Sequence, residues 1–305
     1  MSRNTAAWVA IAGLGLGAMA QDALAIIVND DSASTSNPAA NKAAPSSGAP
    51  WGNVGWRGFG TGGADAATGV YIGNGWVLTA NHVGAGPITL FTDNPSGGTQ
   101  YVRDNTVPAV QLNNPGAGTG QADALLYKLT TTPALPTLAI ADSTPTTLQQ
   151  LTMIGTGIER GGALATFPVT GGSVQGYDWA STRHKTWATN FIEGTTAFNS
   201  GFNSHLYSFD FDAVGDGQAA DKDSGSAVFY YDTLQARWEL SGIIVGIGQY
   251  AGQDPSSALG GNVTAAVDLS LYRNQILSVT GVPEPASVGL LAVATAFMLS
   301  RRRRD

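Results

Sequence analysis

The feature that most constrains the fold is a succession of short strand-like runs separated by turn-forming residues. After Trp51 the runs GVYI, GWVLTA, ITLF, ALLYKL, LTMIGTG and ELSGIIVGI are separated by segments rich in Gly, Pro, Asn and Thr. The chain holds 40 glycines and only 12% of its residues are charged, which favours strands joined by tight turns over long surface helices. A helical pattern extends only over Ala265–Val279. The sequence therefore predicts an all-β protein, a barrel or a sandwich, with one short C-terminal helix.

The first 25 residues have the parts of a signal peptide. Arg3 precedes an apolar run from Ala6 to Met19, and either Ala18-Met19-Ala20 or Ala23-Leu24-Ala25 supplies the small-residue triplet of a cleavage site. Three glycines within the apolar run disfavour the alternative, a first core helix. We therefore expect residues 1–25 to be a signal peptide that directs export.

The chain after the signal peptide divides into a leader and one domain with two halves. Apart from its first three residues, the segment 26–50 has almost no large apolar side chain, so we expect a flexible leader. Ordered structure is predicted over residues 51–281. The Pro- and Thr-rich stretch Leu129–Gln150 is typical of a connection, and it separates a half at about 51–140 from a half at about 145–281.

The C-terminus carries a second addressing pattern. Pro283-Glu284-Pro285 is followed by the apolar and small residues of Ala286–Ser300, and then by Arg301–Arg304. The apolar run is a little short for a membrane span, which needs roughly 17–25 residues. The arginines are typical of the cytoplasmic end of such a helix.

In these three parts, residues 282–305 resemble the PEP-CTERM sorting tail. The resemblance implies a Gram-negative host and an exosortase-type sorting enzyme as a partner. It also implies transit on the periplasmic side of the inner membrane, with the cell surface or the extracellular space as destination. The alternative is a plain transmembrane anchor.

Charge and cysteine content exclude several kinds of partner. The formal net charge is −7, and an acidic protein is poorly suited to bind the phosphate backbone of nucleic acids. The absence of cysteine excludes disulfides and thiolate metal sites. The acidic stretch FDFDAVGDGQAADKD is interpreted as a solvated loop, so we predict no metal and no cofactor.

Three residues stand out as candidates for chemistry. His82 follows the strand-like run Trp76–Thr79, Asp123 precedes the apolar run of QADALLYKL, and Ser224 lies between Asp and Gly in DKDSGSAVF. Histidine moves protons near neutral pH, a buried carboxylate needs a partner, and a reactive serine needs backbone N–H groups nearby. Each residue alone has an ordinary explanation as a loop or turn residue. All three in the order His, Asp, Ser, 41 and 101 residues apart, make a coincidence hard to accept.

At these residues the chain resembles a trypsin-like (chymotrypsin-fold) serine protease. LTANHV, DALL, DSGSAVF and WELSGIIVGI are similar to successive motifs of that family, and the likeness extends roughly from Trp51 to Val279. The chain order differs from that of subtilisin. The resemblance implies two antiparallel six-stranded β-barrels and an endopeptidase that acts on a protein or peptide substrate.

The resemblance also implies a role for each residue. Ser224 would be the nucleophile, His82 the general base and then acid, and Asp123 the residue that orients His82. The backbone N–H groups of Lys222 and Ser224 would form the oxyanion hole. Gln218, six residues before the nucleophile, would lie in the substrate pocket, where it argues against selection of Arg or Lys.

Departures from the family pattern support an alternative function. Lys222 stands where the family usually has glycine, and Asn81 stands where a small residue is common. The alternative is a catalytically weak or inactive trypsin-fold protein that binds partners or builds the matrix at the cell surface. A further implication of the resemblance concerns activation: cleavage after Ala25 would expose the sequence IIVND, whose amine could reach Asp223.

Overall fold

The computed structural model describes residues 26–31, 34, 36–58, 65–91, 98–116, 120–194 and 196–282. The predicted signal peptide and nearly all of the predicted sorting tail lie outside these residues. Among the described residues, we find no helix with the length and apolar character needed to cross a bilayer.

The first half of the chain forms a seven-stranded antiparallel sheet. Strands are numbered along the chain, and the sheet follows a two-residue strand, β1 (Ile27–Val28). Its strands are β2 (Val54–Gly58), β3 (Asp65–Gly73), β4 (Trp76–Thr79), β5 (Ile88–Leu90), β6 (Thr99–Tyr101), β7 (Val110–Asn113) and β8 (Gln121–Lys128). The strand order is β6-β5-β2-β3-β4-β8-β7.

The second half forms an eight-stranded sheet and a smaller four-stranded one. The larger sheet contains β9 (Ala139–Ile140), β10 (Gln150–Gly155), β14 (Thr186–Phe191), β15 (Ala197–Asn199), β16 (Ser204–Asp210), β18 (Ala227–Asp232), β19 (Arg237–Gly248) and β21 (Val263–Asp268). Its order is β14-β10-β18-β19-β21-β16-β15, and β9 pairs with β19 in parallel. The smaller sheet contains β11 (Ile158–Arg160), β12 (Ala165–Val169), β13 (Gly172–Arg183) and β20 (Ser257–Leu259).

The predicted class, mostly β with one short C-terminal helix, is confirmed and is consistent with a chymotrypsin fold. Within the described ranges, however, the strand order of neither large sheet returns to its first strand, so two closed six-stranded barrels are not observed. The larger sheet reaches eight strands because the short strands β9 and β15 pair with β19 and β16.

The C-terminal helix begins later than predicted. Residues Ala265–Asp268 belong to β21, which is paired on both sides by β16 and β19. Asp268 then accepts a hydrogen bond from the Ser270 N–H and opens a 3₁₀ turn, and α1 occupies only Arg273–Thr280. The prediction of a helix from residue 265 was wrong because inter-strand pairing outweighs local periodicity here.

The start of the segment 26–50 is packed against the second half, in contrast to the expected flexible leader. Ile26 and Ile27 are fully buried, and β1 pairs with β17 (Gly217–Gln218). The buried guanidinium of Arg160 donates to the carbonyl oxygens of Val28 (3.3 Å) and Ser36 (2.8 Å), and it also binds Asp30. A distant arginine thus satisfies backbone carbonyls of two residues in a segment that is poor in apolar side chains.

One core joins the two halves. Leu78 and Leu126 of the first sheet belong to the same buried cluster as Phe229 and Ile243 of the second, and Ile276 of α1 joins them. This shared core fixes the position of the first half relative to the second. The candidate site lies along that junction.

Candidate active site

His82 lies in a 3₁₀ turn directly beyond a buried strand. All four residues of β4 are buried, and the turn Asn81–Val83 follows after Ala80. Gly84 ends the turn with φ +73° and donates its N–H to the Asn81 carbonyl oxygen. A left-handed φ is readily adopted by glycine, so the chain can turn sharply after the histidine.

Arg57 of β2 holds the chain beyond His82, a contact that sequence reasoning missed. Its Nε donates to the Gly84 carbonyl oxygen (2.8 Å) and its Nη2 to that of Val83 (3.1 Å). Burial lowers the pKa of Arg57. A Cβ on Gly86 would lie 2.6 Å from the guanidinium carbon, so the loop encloses this group closely only because residue 86 is glycine. No motif in the sequence links Arg57 to residue 83 or 84.

Asp123 accepts two hydrogen bonds from His82. Its Oδ1 accepts the backbone N–H at 2.9 Å, and its Oδ2 lies 2.6 Å from the ring Nδ1. The strand β8 brings it there because β8 pairs with β4, with Leu125 opposite Thr79. The Asp123 N–H donates to the Ser204 Oγ at 2.8 Å, which ties the strand to the second half. Sequence reasoning did not identify Ser204.

Ser224 completes a continuous chain of hydrogen bonds. Its Oγ lies 2.8 Å from the His82 Nε2, on the side of the ring opposite Asp123. An ionised Asp123 favours the tautomer with the proton on Nδ1, which leaves Nε2 able to accept the serine proton. The structure thus places His82 within hydrogen-bond distance of both Asp123 and Ser224, the other two residues that the sequence singled out, and their catalytic roles stay predictions.

The turn around Ser224 is held by its own backbone and by the first half. Ser226 donates its N–H to the Asp223 carbonyl oxygen at 2.7 Å, and Gly225 donates to that of Ile244 at 2.8 Å. Gly225 has φ +85°, and a Cβ there would lie 2.2 Å from the Thr68 carbonyl oxygen. Only glycine can occupy this position without moving the two halves apart.

Lys222 adopts a left-handed conformation with φ +68°. Its Nζ lies 3.6 Å from the Asp221 Oδ1. A residue with a Cβ is strained in this region, by about 1–2 kcal/mol. A glycine at this position would avoid that strain, so the departure from the family pattern seen in the sequence has a conformational cost.

Asp223, the residue before Ser224, is completely buried. Its Oδ2 accepts the Ala220 N–H (3.1 Å) and its Oδ1 accepts the Ser226 hydroxyl (3.0 Å). Burial raises the pKa of Asp223 well above its usual value, while these hydrogen bonds and Arg183 act in the opposite direction. A cation next to this carboxylate would reduce the free-energy cost of keeping it buried and ionised.

Gln218, the predicted pocket residue, lies on β17 and is fully buried. Its Nε2 lies 3.4 Å from the Asn262 Oδ1, at the limit of a hydrogen bond. Its Oε1 is buried and has no hydrogen-bond partner within the part of the chain that the structure describes. Asn262 in turn exchanges hydrogen bonds with Gln253.

The remaining acidic and histidine residues lie elsewhere. Carboxylate oxygens of Glu193, Asp210 and Asp212 approach within 4.8 Å of one another, and only Asp210 is half-buried. His184 pairs with Glu159, whereas His205 packs edge-on against Phe198. None of these contacts involves Ser224.

Comparison with known proteins agrees with this geometry. A family model described as Trypsin matches residues 44–267, which include His82, Asp123 and Ser224. No curated protein sequence matches the chain. Since the matched region covers well over half of the sequence, the chain belongs to the trypsin family.

Proposed function

We propose that this protein is an exported serine endopeptidase that hydrolyses peptide bonds through an acyl-enzyme. The observation that carries the proposal is the unbroken line of hydrogen bonds from Asp123 Oδ2 to His82 (2.6 Å) and from His82 Nε2 to Ser224 Oγ (2.8 Å). A serine hydroxyl is a weak nucleophile until a base removes its proton during attack. The histidine is already in place to do so.

In the acylation step, Ser224 Oγ attacks the carbonyl carbon of the scissile peptide and His82 Nε2 takes the hydroxyl proton. Asp123 stabilises the imidazolium and holds its orientation. The negative charge on the carbonyl oxygen would be stabilised by the N–H groups of Lys222 and Ser224. When the carbon–nitrogen bond breaks, His82 returns the proton to the leaving amine.

In the deacylation step, water replaces the amine. His82 removes a proton from the water as it attacks the ester of Ser224, and the tetrahedral species again places its charge towards the oxyanion turn. Collapse releases the carboxylic product, and His82 returns the proton to Ser224. The enzyme ends in its starting state, and neither step requires a cofactor.

A second candidate is a weak or inactive trypsin-fold protein that binds partners at the cell surface. The left-handed Lys222 favours it, because strain at this residue opposes the conformation needed for an oxyanion hole. The hydrogen bonds on both sides of His82 favour the active enzyme instead. The two functions differ in whether Ser224 can be acylated.

Labelling with a fluorophosphonate probe separates the two functions. The active enzyme is expected to be labelled, the Ser224→Ala variant to remain unlabelled, and the exposed Ser278→Ala variant to label like the wild type. Circular dichroism of all three proteins should coincide. Equal labelling of the Ser224→Ala variant and the wild type would sink the assignment, and an unlabelled wild type would favour the binding protein.

Export and sorting form the last part of the proposal. Export is supported by the basic, apolar and small-residue parts of positions 1–25. Sorting is supported by Pro283-Glu284-Pro285, the apolar run after it and the four arginines. An exosortase-type enzyme at the inner membrane would act on the tail and release the protein towards the cell surface.

A further inference from the structure

Thr68 of β3 contacts the nucleophile turn on both sides of Ser224. Its backbone N–H donates to the Ser224 carbonyl oxygen at 3.1 Å, and its hydroxyl lies 3.1 Å from the Lys222 carbonyl oxygen. Thr68 is fully buried, and its own carbonyl oxygen accepts the Thr79 hydroxyl at 2.8 Å. A residue of the first half thus holds two peptide groups of the second.

The contacts of the Thr68 hydroxyl indicate where its proton points. The oxygen receives the Thr156 N–H at 3.3 Å and lies 2.8 Å from the Thr156 hydroxyl. A hydroxyl can accept two hydrogen bonds and donate one. The Lys222 carbonyl oxygen can only accept, so the Thr68 hydroxyl must be the donor in that contact. The Thr156 N–H and hydroxyl then donate to the Thr68 oxygen, and every contact is a hydrogen bond.

This hydrogen bond fixes the peptide plane between Lys222 and Asp223. The carbonyl end is held by Thr68, and the other end is held because the Asp223 N–H donates to the Ala220 carbonyl oxygen at 3.3 Å. A peptide group is planar, so two anchors at its opposite ends define its orientation. The torsions φ and ψ of Lys222 relate this plane to the preceding Asp221–Lys222 peptide, which carries the Lys222 N–H, so fixing this plane restrains the direction of that N–H.

Lys222 needs such an anchor because it has a Cβ at φ +68°. Without a restraint, a lysine relaxes to negative φ, a rotation of more than about 100° that turns its N–H to another direction. The strain at one left-handed residue and the gain from one buried hydrogen bond are similar in size. The hydroxyl of one threonine is therefore enough to change which conformation prevails.

We propose that the Thr68 hydroxyl is a positioning group for the oxyanion hole, which keeps the Lys222 N–H directed at the substrate although residue 222 is not glycine. Thr68 does not touch the reacting atoms and acts through the Lys222–Asp223 peptide. The inference rests on the proposed function for its effect on catalysis, but its effect on the turn can be measured without any substrate.

The catalytic test uses p-nitrophenyl acetate, a small acyl donor that needs no specificity pocket. The assayed protein is the full chain, in the form that its expression host produces. Thr68→Val keeps the shape and the backbone N–H, and it should lower the acylation rate constant by about tenfold to a hundredfold with KM changed less than about threefold. Thr68→Ser should restore the rate to within about threefold. Thr280 is a matched control, since its buried hydroxyl also donates to a backbone carbonyl, that of Ile276, and accepts the Val282 N–H. Thr280→Val should leave the rate unchanged.

Lys222→Gly provides the decisive comparison, because glycine adopts a left-handed φ without strain. In that background Thr68→Val should cost less than about threefold in acylation. Urea unfolding gives a measure that needs no substrate. In the wild type, Lys222→Gly should lower the unfolding equilibrium constant by about threefold to tenfold. In the Thr68→Val background it should lower the constant by less than about twofold, because Lys222 has already relaxed there.

The proposal is overturned if Thr68→Val acylates like the wild type, if its loss is equal in both backgrounds, or if the two substitutions are additive in unfolding. A wild type that does not acylate at all would refute the proposed enzyme instead. The unfolding cycle alone would then decide whether Thr68 restrains Lys222.

Discussion

Asp123 binds both the backbone and the ring of His82: one carboxylate oxygen accepts the backbone N–H at 2.9 Å, and the other lies 2.6 Å from the ring Nδ1. The first hydrogen bond places the histidine along the chain and the second sets the direction of the ring. The side chain of Asp123 is only 13% exposed, so solvent competes weakly for it. An amide in its place could make one of these hydrogen bonds correctly but not both.

Asp123→Asn is therefore expected to lower kcat by roughly 10⁴-fold while the protein remains folded, because the amide favours the wrong tautomer of His82. Initial rates of p-nitrophenyl acetate hydrolysis and circular dichroism measure the two effects. Asp104 supplies the control, since its Oδ1 accepts hydrogen bonds from the Thr106 N–H and hydroxyl, and no described hydrogen bond joins it to His82. If Asp104→Asn inactivates and Asp123→Asn does not, the carboxylate is wrongly assigned.

The buried Asp223 predicts a requirement for a free amine at Ile26. Ile27 is opposite Gln218, so the antiparallel register brings Ile26 level with Ala219, beside the Ala220 that donates to Asp223. An ammonium group there would offset the burial of the carboxylate. A chain that begins at Ile26 should be at least about tenfold more active than one with a single extra alanine before it.

The comparison requires both chains to be prepared by cleavage of a removable N-terminal tag, and their starts to be verified by intact mass. Asp223→Asn should abolish the difference between them. Equal activity of the two parent chains would show that Asp223 does not use the terminal amine.

Stability should fall as the pH rises from about 4 to about 6. Burial raises the pKa of Asp216 to about 6, from an ordinary value of 3.8. The folded protein therefore binds more protons than the unfolded chain in this interval, and stability present below pH 4 is lost as pH passes 6. Solvent near the surface reduces the effect to roughly 1 kcal/mol.

Urea unfolding at pH 4, 5, 6 and 7 tests this, with Asp216→Asn as the variant that removes the titration. The variant should show a smaller decrease over the interval than the wild type. Asp232 is the last residue of β18, where hydrogen bonds from the Gln235 and Leu234 N–H groups lower its pKa, so Asp232→Asn should leave the decrease between pH 4 and 6 intact. A slope that is identical in all three proteins would contradict the role of Asp216.

Processing of the tail can be read from the mass of the mature protein in its native host. If residues Pro283-Glu284-Pro285 direct sorting, the product should lack Arg301–Asp305 and should be found outside the inner membrane. Intact-mass spectrometry of the cell-surface and membrane fractions measures both features. A chain that ends at Asp305 and stays in the inner membrane would support the plain anchor.

Local patterns in the sequence were sufficient for strands β3, β4, β5, β8, β10 and β19 and for the order of the candidate residues, but not for long strands such as β13. The turn Gly73-Asn74-Gly75, which joins β3 to β4, has positive φ at all three positions. Such turns depend on the backbone freedom of two or three adjacent residues, so a short stretch of sequence is enough to predict them. The roles of His82, Asp123 and Ser224 in catalysis stay predictions until the variants are measured.

Contacts between distant positions account for what sequence reasoning missed. Arg160 binds the backbone of Val28 and Ser36 from more than 120 positions away, and the strand at Ala265–Asp268 depends on pairing with two other strands. Thr68 was not identified because its partner is 154 positions away.

The sequence by itself determined the class of fold and the residue types available for chemistry, since periodicity, turn residues and motif order are properties of short segments. Only the tertiary structure decided which side chains hold the backbone at Lys222 and just beyond His82. Hydrogen bonds such as Thr68 to Lys222 and Arg57 to Gly84 form when the folded core brings separate strands together, and no spacing along the chain encodes them.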